Sequence, residues 1–400
     1  MKHVLFVDDE PGVLDGLRRM LRAWRNEWET AFANSGSDAL ALLSERPFDV
    51  IVSDMRMPGM DGAQLLDEVS RRWPGMVRII LSGQADRESV LRCVGPTHQY
   101  LSKPCDANQL KATVERALAL RQWMAEPSIQ QLIAKITSLP SLPTLYTQLV
   151  AELQSPDCSL TRIGEIVSRD MAMTAKVMQL VNSSYFGLRQ RVGTPQQAAS
   201  VLGTEVLRAL VLSVSVFSPP SGRATLGPEV DYLFDHSLAV GTLARALARL
   251  AGGGATLVND SFVAGVVHDI GKLVLAQNLA EHYAKVVQTV RLEQTPWYVA
   301  EADILGCTHA EVGAYLLGLW GFPDVLIEAV AFHHTPRRCG RQSFCAATTV
   351  HLANCWTHER AGNDGRAFLQ VDEDYLATVG CRDKLTAWRQ ALKISDKEPS

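Results

Sequence analysis

Short apolar runs at Val4–Val7, Val50–Val52, Ile79–Leu81 and Tyr100–Leu101 alternate, over the first ~120 residues, with amphipathic stretches such as Leu14–Trp24 and Ser37–Leu43. Continuous apolar runs predict strands buried on both faces, and their alternation with helices predicts a parallel, doubly wound α/β sheet. From Asp106 the pattern becomes helical, with Leu110, Val114, Leu118 and Leu120 on one stripe. Pro140 and Pro143, three residues apart, cannot sit inside one helix and mark a boundary. Beyond them nearly every apolar stripe has a helical period, which predicts an all-α second domain. A polar break at Ser218–Arg223 divides it, Gly252-Gly253-Gly254 closes a helix starting near Asp235, and Leu160–Asn182 reads as two short helices around Asp170. A further helical run covers Ala346–Thr357, a weak one lies near Leu385–Leu392, and Ser395–Ser400 is a polar tail. The chain is thus read as multidomain: an α/β domain over 1–122, a helical linker over 123–138, an all-α domain over 139–340, and a helical extension with tail over 341–400.

Composition narrows the class of function. Thirty-nine basic against 43 acidic residues give a net charge of −4, too weak a field to attract nucleic-acid phosphates or anionic lipid, so neither DNA nor membrane is expected as a partner. Lys176 is the one basic residue on the second of the two short helices, which also argues against a DNA-reading helix pair. Eight cysteines contain no C-x-x-C pair and read as reduced thiols of a cytoplasmic protein. No signal peptide or spanning apolar stretch is apparent.

Asp8 and Asp9 directly follow the first apolar run and Asp54 follows the second. In a parallel sheet both places lie at the carboxyl edge, where ligands of doubly wound folds bind. Three converging carboxylates call for a hard divalent cation such as Mg²⁺, and Ser82 and Lys103 at later strand ends add a hydroxyl and a fixed positive charge. These are the parts for transferring a phosphoryl group onto a carboxylate. The motifs Val7-Asp8-Asp9-Glu10, Ser53-Asp54-Met55-Arg56-Met57-Pro58-Gly59-Met60-Asp61-Gly62, Leu81-Ser82-Gly83 and Tyr100-Leu101-Ser102-Lys103-Pro104 resemble the receiver domain of response regulators over about residues 1–122. The resemblance implies a five-stranded, flavodoxin-like fold and phosphorylation of Asp54 by a histidine kinase. It further implies Mg²⁺ held by Asp8, Asp9, Asp54 and the carbonyl of Arg56, Ser82 and Tyr100 as switch residues, Lys103 as a phosphoryl-stabilising cation, and a cis Lys103–Pro104 bond.

In the helical region His236, the pair His268-Asp269, His309 and the pair His333-His334 are spaced so that several helices of a bundle could bring them together. Imidazole and carboxylate suit Fe, Mn or Zn, while a lone histidine on an apolar helix is usually a packed core residue. Val263–Lys272, with its His268-Asp269 pair, looks like the signature of the HD superfamily, whose active members are metal-dependent phosphohydrolases. Ser168–Val177, Leu180–Gly187 and Val201-Leu202-Gly203 resemble the HDOD output domain over about residues 135–340. That resemblance implies an HD-like helical fold without catalysis, signalling by contact with a downstream protein or by a change of oligomer such as a homodimer. Asn354 stands at the expected last aspartate of the HD pattern and Gly321-Phe322-Pro323 replaces a Gly-Tyr-Pro motif, both of which argue against hydrolysis. The alternative is a phosphorylation-regulated, metal-dependent cyclic di-GMP phosphodiesterase using the same histidines.

Overall fold

The computed structural model describes residues 1–82, 97–123, 143–155, 157–183, 190–213, 228–360 and 369–394, with Ile129, Leu132, Ile133, Ile136, Leu139, Pro140, Leu188, Phe217 and Ser218. Most of the expected linker, the Ser218–Arg223 break after Ser218, the Ser184–Gly187 part of the second helical motif and the tail lie outside these residues.

Five parallel strands, β1 (Lys2–Val7), β2 (Trp28–Ala33), β3 (Val50–Asp54), β4 (Val77–Ser82) and β5 (Gln99–Ser102), form one sheet in the order β2-β1-β3-β4-β5. Val4, Leu5 and Phe6 on β1 and Val50, Ile51 and Val52 on β3 are at most 1% exposed, so both central strands are covered on both faces, as their unbroken apolar runs require. The register pairs Val4 with Val50 and Val7 with Ser53, which brings the strand ends before Asp8 and at Asp54 side by side. Helices α1 (Pro11–Leu21), α2 (Gly36–Glu45), α3 (Gly62–Arg72) and α4 (Ala107–Trp123) flank the sheet. Ser35 caps α2 by accepting from Asp38 N at 3.1 Å, and Asp61 with Gln64 forms a reciprocal capping box on α3.

The second region is mostly helical. It comprises α5 (Pro143–Gln154), α6 (Leu160–Ser168), α7 (Met171–Val181), α8 (Pro195–Ser213, broken at Gly203), α9 (Pro228–Leu250), α10 (Ala255–Val267), α11 (Ile270–Asn278) and α12 (Ala280–Glu293). There follow α13 (Trp297–Leu305), α14 (His309–Leu319), α15 (Asp324–Phe332), α16 (Ala346–Arg360), α17 (Glu373–Thr378) and α18 (Leu385–Ala391). The expectation of an all-α domain needs one correction: Leu139–Pro140 and Phe217–Ser218 pair in a two-residue parallel ladder, a span too short to leave any alternation in the sequence. Asp170 is the N-cap of α7, accepting from Met173 N at 2.9 Å, which explains the break between the two short helices.

The two regions touch along β5 and α4. Gln179 Nε2 donates to the His98 carbonyl at 3.3 Å, Gln99 Nε2 to the Gly318 carbonyl at 3.4 Å, and Arg116 pairs with Asp324 at 3.4 Å. A cavity of about 560 Å³ lies between them, lined among others by Tyr100, Arg116, Asn182 and Phe322. Beside it Lys176 is 2% exposed, its ammonium 3.9 Å from the Trp320 ring centre and 3.4 Å from Gln179 Oε1. Burial pulls this amine down to about 7. The folded chain therefore binds fewer protons than the unfolded one between about pH 7 and 10, so this group's contribution is full above about pH 10 and gone by about pH 7. Lys176→Met, similar in length and apolar, is expected to stabilise the fold at pH 7 by about 1–3 kcal/mol and to flatten that alkaline rise. Urea unfolding at pH 7 and 9 measures both effects.

Candidate functional site

In the strand order 2-1-3-4-5 the winding reverses between β1 and β3, and the crevice there opens at the carboxyl ends of the strands. Asp8 (2% exposed) and Asp54 (8%) sit on its two sides. Lys103, just beyond β5, spans it: its Nζ donates to Asp8 Oδ2 at 2.6 Å and also to Asp54 Oδ1. Asp54 Oδ2 accepts from Arg56 N at 2.6 Å, and Asp8 Oδ1 accepts from Glu10 N at 3.0 Å. Burial alone would lower the pKa of Lys103, but the hydrogen bonds and charges of Asp54 and Asp8 outweigh it and raise it, so this group stays a cation. Asp9 is half-buried at the rim, and the Lys103–Pro104 bond is cis. A Cβ on Gly62 would come within 2.2 Å of the Asp54 carbonyl, so only glycine lets α3 begin this close to the acidic loop. Ser82 ends β4, with its side chain outside the described residues, and Tyr100 is 7% exposed beneath the cavity between the two regions.

The second centre joins residues from five helix termini and faces. His268 and Asp269 lie between α10 and α11, His236 is on α9, His309 opens α14, and His333-His334 follow α15. Potential ligand atoms form two trios, His236/His268/Asp269 and His309/His333/His334, each with its atoms within 4.8 Å of one another. Asp269 bridges them: its Oδ1 lies 3.1 Å from His309 Nε2 and 3.8 Å from His333 Nε2, and its Oδ2 lies 3.3 Å from His268 Nε2. The outer nitrogens are occupied. His268 Nδ1 donates to the Gly265 carbonyl and His333 Nδ1 to the Val330 carbonyl, both at 2.7 Å, and His309 Nδ1 donates to Glu301 Oε2 at 2.5 Å. With Nδ1 protonated in each, the Nε2 lone pairs face inward, the tautomer a metal requires. His309 Nε2 is 3.4 Å from His333 Nε2 and 2.9 Å from His334 Nε2.

Burial, then the charges of neighbouring imidazoles, holds His236, His333 and His334 well below the ordinary histidine range, so they are neutral near pH 7. Burial would raise Asp269, but His268 and Lys272, whose Nζ donates to Oδ2 at 2.7 Å, bring it well below the usual carboxylate range. Burial likewise opposes the charged form of His309, yet the Glu301 carboxylate outweighs it and raises this group. Asn354 on α16 accepts through Oδ1 from His236 Nε2 at 2.9 Å, tying up a nitrogen that a carboxylate at this place would share with a cation.

All six residues of the HD pattern named from the sequence converge. Glu301, 0% exposed on α13, is a partner that sequence reasoning missed; it also accepts from His309 N at 2.7 Å and Tyr283 Oη at 3.2 Å. Its signal was a carboxylate flanked by Ala300 and Ala302 in the otherwise mostly apolar α13, eight residues before His309. The run Thr308-His309-Ala310-Glu311 is a capping box, with Thr308 Oγ1 accepting from Glu311 N and Glu311 Oε2 from Thr308 N, and it fixes where α14 starts. His351 packs instead: its Nδ1 donates to the His333 carbonyl at 2.8 Å and its Nε2 accepts from Asp372 N at 2.9 Å. His358 lies against His236 with its ring tilted by 38°, ring centres 4.4 Å apart.

Comparison with known proteins adds the following. The family model for the response regulator receiver domain matches residues 4–115, and that for the HDOD domain matches residues 139–336. A protein of Treponema pallidum described as uncharacterized is 26% identical over 316 residues, 78% of this chain and 59% of its own length. The hydrogenase transcriptional regulatory protein HoxA of Cupriavidus necator is 34% identical over 192 residues, 45% of this chain and 39% of its own length. The chain thus spans less than two thirds of either relative. Among solved structures, the MmoQ response regulator of Methylococcus capsulatus is 22% identical, covering 63% of this chain and 97% of its own, at a TM-score of 0.48. The signal receiver domain of an HD domain-containing protein of Pseudomonas fluorescens is 30% identical, covering 30% of this chain and 98% of its own, at a TM-score of 0.29. Matched in order by both domain models, the chain belongs to the response regulators that carry an HDOD output domain.

Proposed function

We propose that the chain is phosphorylated on Asp54 by a histidine kinase in the presence of Mg²⁺, and that its helical domain passes the signal to a downstream protein or a second copy. The observation that carries this reading is the single ammonium of Lys103 reaching both Asp8 and Asp54 across the switch point of the sheet. Asp8, Asp9, Asp54 and the Arg56 carbonyl are the oxygens a hard cation would take, and that cation would neutralise the incoming phosphoryl oxygens. The Asp54 carboxylate attacks the phosphorus of the kinase's phosphohistidine in line, the P–N bond breaks and the kinase imidazole leaves, Lys103 follows the new charge, and Ser82 supplies a hydroxyl at the end of β4. About two added negative charges at the β3 end then bias Tyr100 and the polar contacts on β5 and α4. Acetyl phosphate with Mg²⁺ is expected to label the parent chain and leave Asp54→Asn unlabelled; equal labelling of the two sinks the assignment.

For the helical domain the proposal is that His309, His333, His334 and Asp269 hold a divalent Fe, Mn or Zn ion, with His236 and His268 forming a weaker second place beside Asn354. The buried His268 Nε2 and Asp269 Oδ1, which lack hydrogen-bond partners, fit such an ion. Bound there, a metal would supply a water of lowered pKa. Ligands at 0–4% exposure, His334 apart, together with Asn354, support a metal that braces the output domain rather than one that turns over substrate. The second reading, cyclic di-GMP hydrolysis, is favoured by the two adjoining trios sharing one carboxylate, and a turnover assay on the metal-loaded chain decides it.

A further inference from the structure

The loop between α15 and α16 carries a second chemically distinctive cluster. Cys339 ends a short 3-10 turn (Pro336–Cys339), and Cys345 immediately precedes α16. Their thiols are near enough to shift each other's ionisation. Both residues are half-buried, and residues 340–343 between them are exposed. Cys345 Sγ lies 3.6 Å from Thr348 Oγ1 and 3.9 Å from Tyr375 Oη, and it faces the backbone amides of Ala347 and Thr348 at the start of the helix. Cys339 Sγ donates to Glu328 Oε2 at 3.8 Å, a carboxylate that Arg341 also holds at 2.8 Å and 3.0 Å.

The two sulfurs are therefore inequivalent. Cys345 is surrounded by donors at a helix N-terminus, a setting that stabilises thiolate, whereas Cys339 has a carboxylate ready to take its proton. Donors around Cys345, the Cys339 thiol first, bring it down to about 5, while the thiolate and the carboxylate beside Cys339 push that thiol up. Burial raises Cys105, Cys355 and Cys381, the opposite direction to Cys345.

We propose that Cys339 and Cys345 form a peroxide-oxidisable dithiol, with Cys345 as the attacking sulfur and Cys339 as the resolving one. The Cys345 thiolate attacks one oxygen of hydrogen peroxide; the O–O bond breaks, leaving a sulfenic acid and hydroxide, which takes a proton to become water. The Cys339 sulfur then attacks the Cys345 sulfur, its proton passing by way of Glu328 to the departing oxygen. The S–O bond breaks and a second water leaves. The sum is two thiols and one peroxide giving one disulfide and two waters. The two thiols must approach further to reach the ~2.05 Å of a disulfide. The exposed 340–343 segment, with Gly340 at φ +69°, is the part free to give.

The test uses the full chain with limiting hydrogen peroxide, followed by peptide mapping without reductant. Expected is a linked Cys339–Cys345 peptide lighter by two hydrogens, reversed by dithiothreitol. In Cys339→Ser a dimedone adduct should appear at Cys345, and Cys345→Ser should form neither product. Alkylation of Cys345 by iodoacetamide should be nearly flat from pH 6 to 8, where an ordinary thiol climbs roughly tenfold per unit. Oxidation scattered over other cysteines, or a Cys345 rate that climbs like the rest, overturns the proposal. Circular dichroism of both serine variants separates loss of chemistry from loss of fold.

Discussion

Asp269→Ala is expected to release transition metal from the full chain, with affinity falling more than about 100-fold against the parent. The expectation rests on the bridging position of this carboxylate, which faces His268, His309 and His333 at 3.1–3.8 Å. Elemental analysis of chains purified without a histidine tag measures it. Glu301→Gln should have a smaller effect, about tenfold, because it weakens only the hydrogen bond that fixes the His309 tautomer. No metal in either parent or Asp269→Ala would leave the histidines as a packed polar core and would falsify the metal reading.

Gly271→Ala is expected to cost about 3 kcal/mol or more of stability and to disperse the histidine cluster. A Cβ at this position would lie 1.9 Å from the His309 carbonyl and 2.9 Å from the Gly313 amide, both backbone, so no side chain can rotate away. The close approach of α11 and α14 is what sets Asp269 against His309. Chemical denaturation of parent and variant measures the loss. A variant as stable as the parent, with metal still bound, would show that the two helices do not meet as described.

The acidic centre was legible because its residues sit at strand ends, and unbroken apolar runs announce buried parallel strands. Trp28–Ala33 escaped that signal: the adjacent polar residues Glu29 and Thr30 interrupt its apolar run, as an edge strand that is only partly buried allows. The start of α9 was placed seven residues late, although Pro228 stands at its first position, where a missing amide hydrogen costs nothing. The histidine cluster was legible as a set of residue types, but not as two trios sharing Asp269. Long gaps in sequence carry no geometry, and the backbone carbonyls of Gly265 and Val330 that orient the rings leave no trace in composition. Lys176 stood out in the sequence only as the one basic residue of its helix; its burial against Trp320 depends on a residue 144 positions away.

The contact between the two regions has an energetic consequence. Its named polar links are two amide–carbonyl hydrogen bonds at 3.3–3.4 Å and one ion pair at 3.4 Å, each worth about 1 kcal/mol or less. With about 1.4 kcal/mol equal to a factor of ten, losing one or two of them changes the ratio of docked to released arrangements by up to about tenfold. At 3.3–3.4 Å the two hydrogen bonds already sit near the outer limit of such geometry, so a displacement of β5 by a fraction of an ångström would break them.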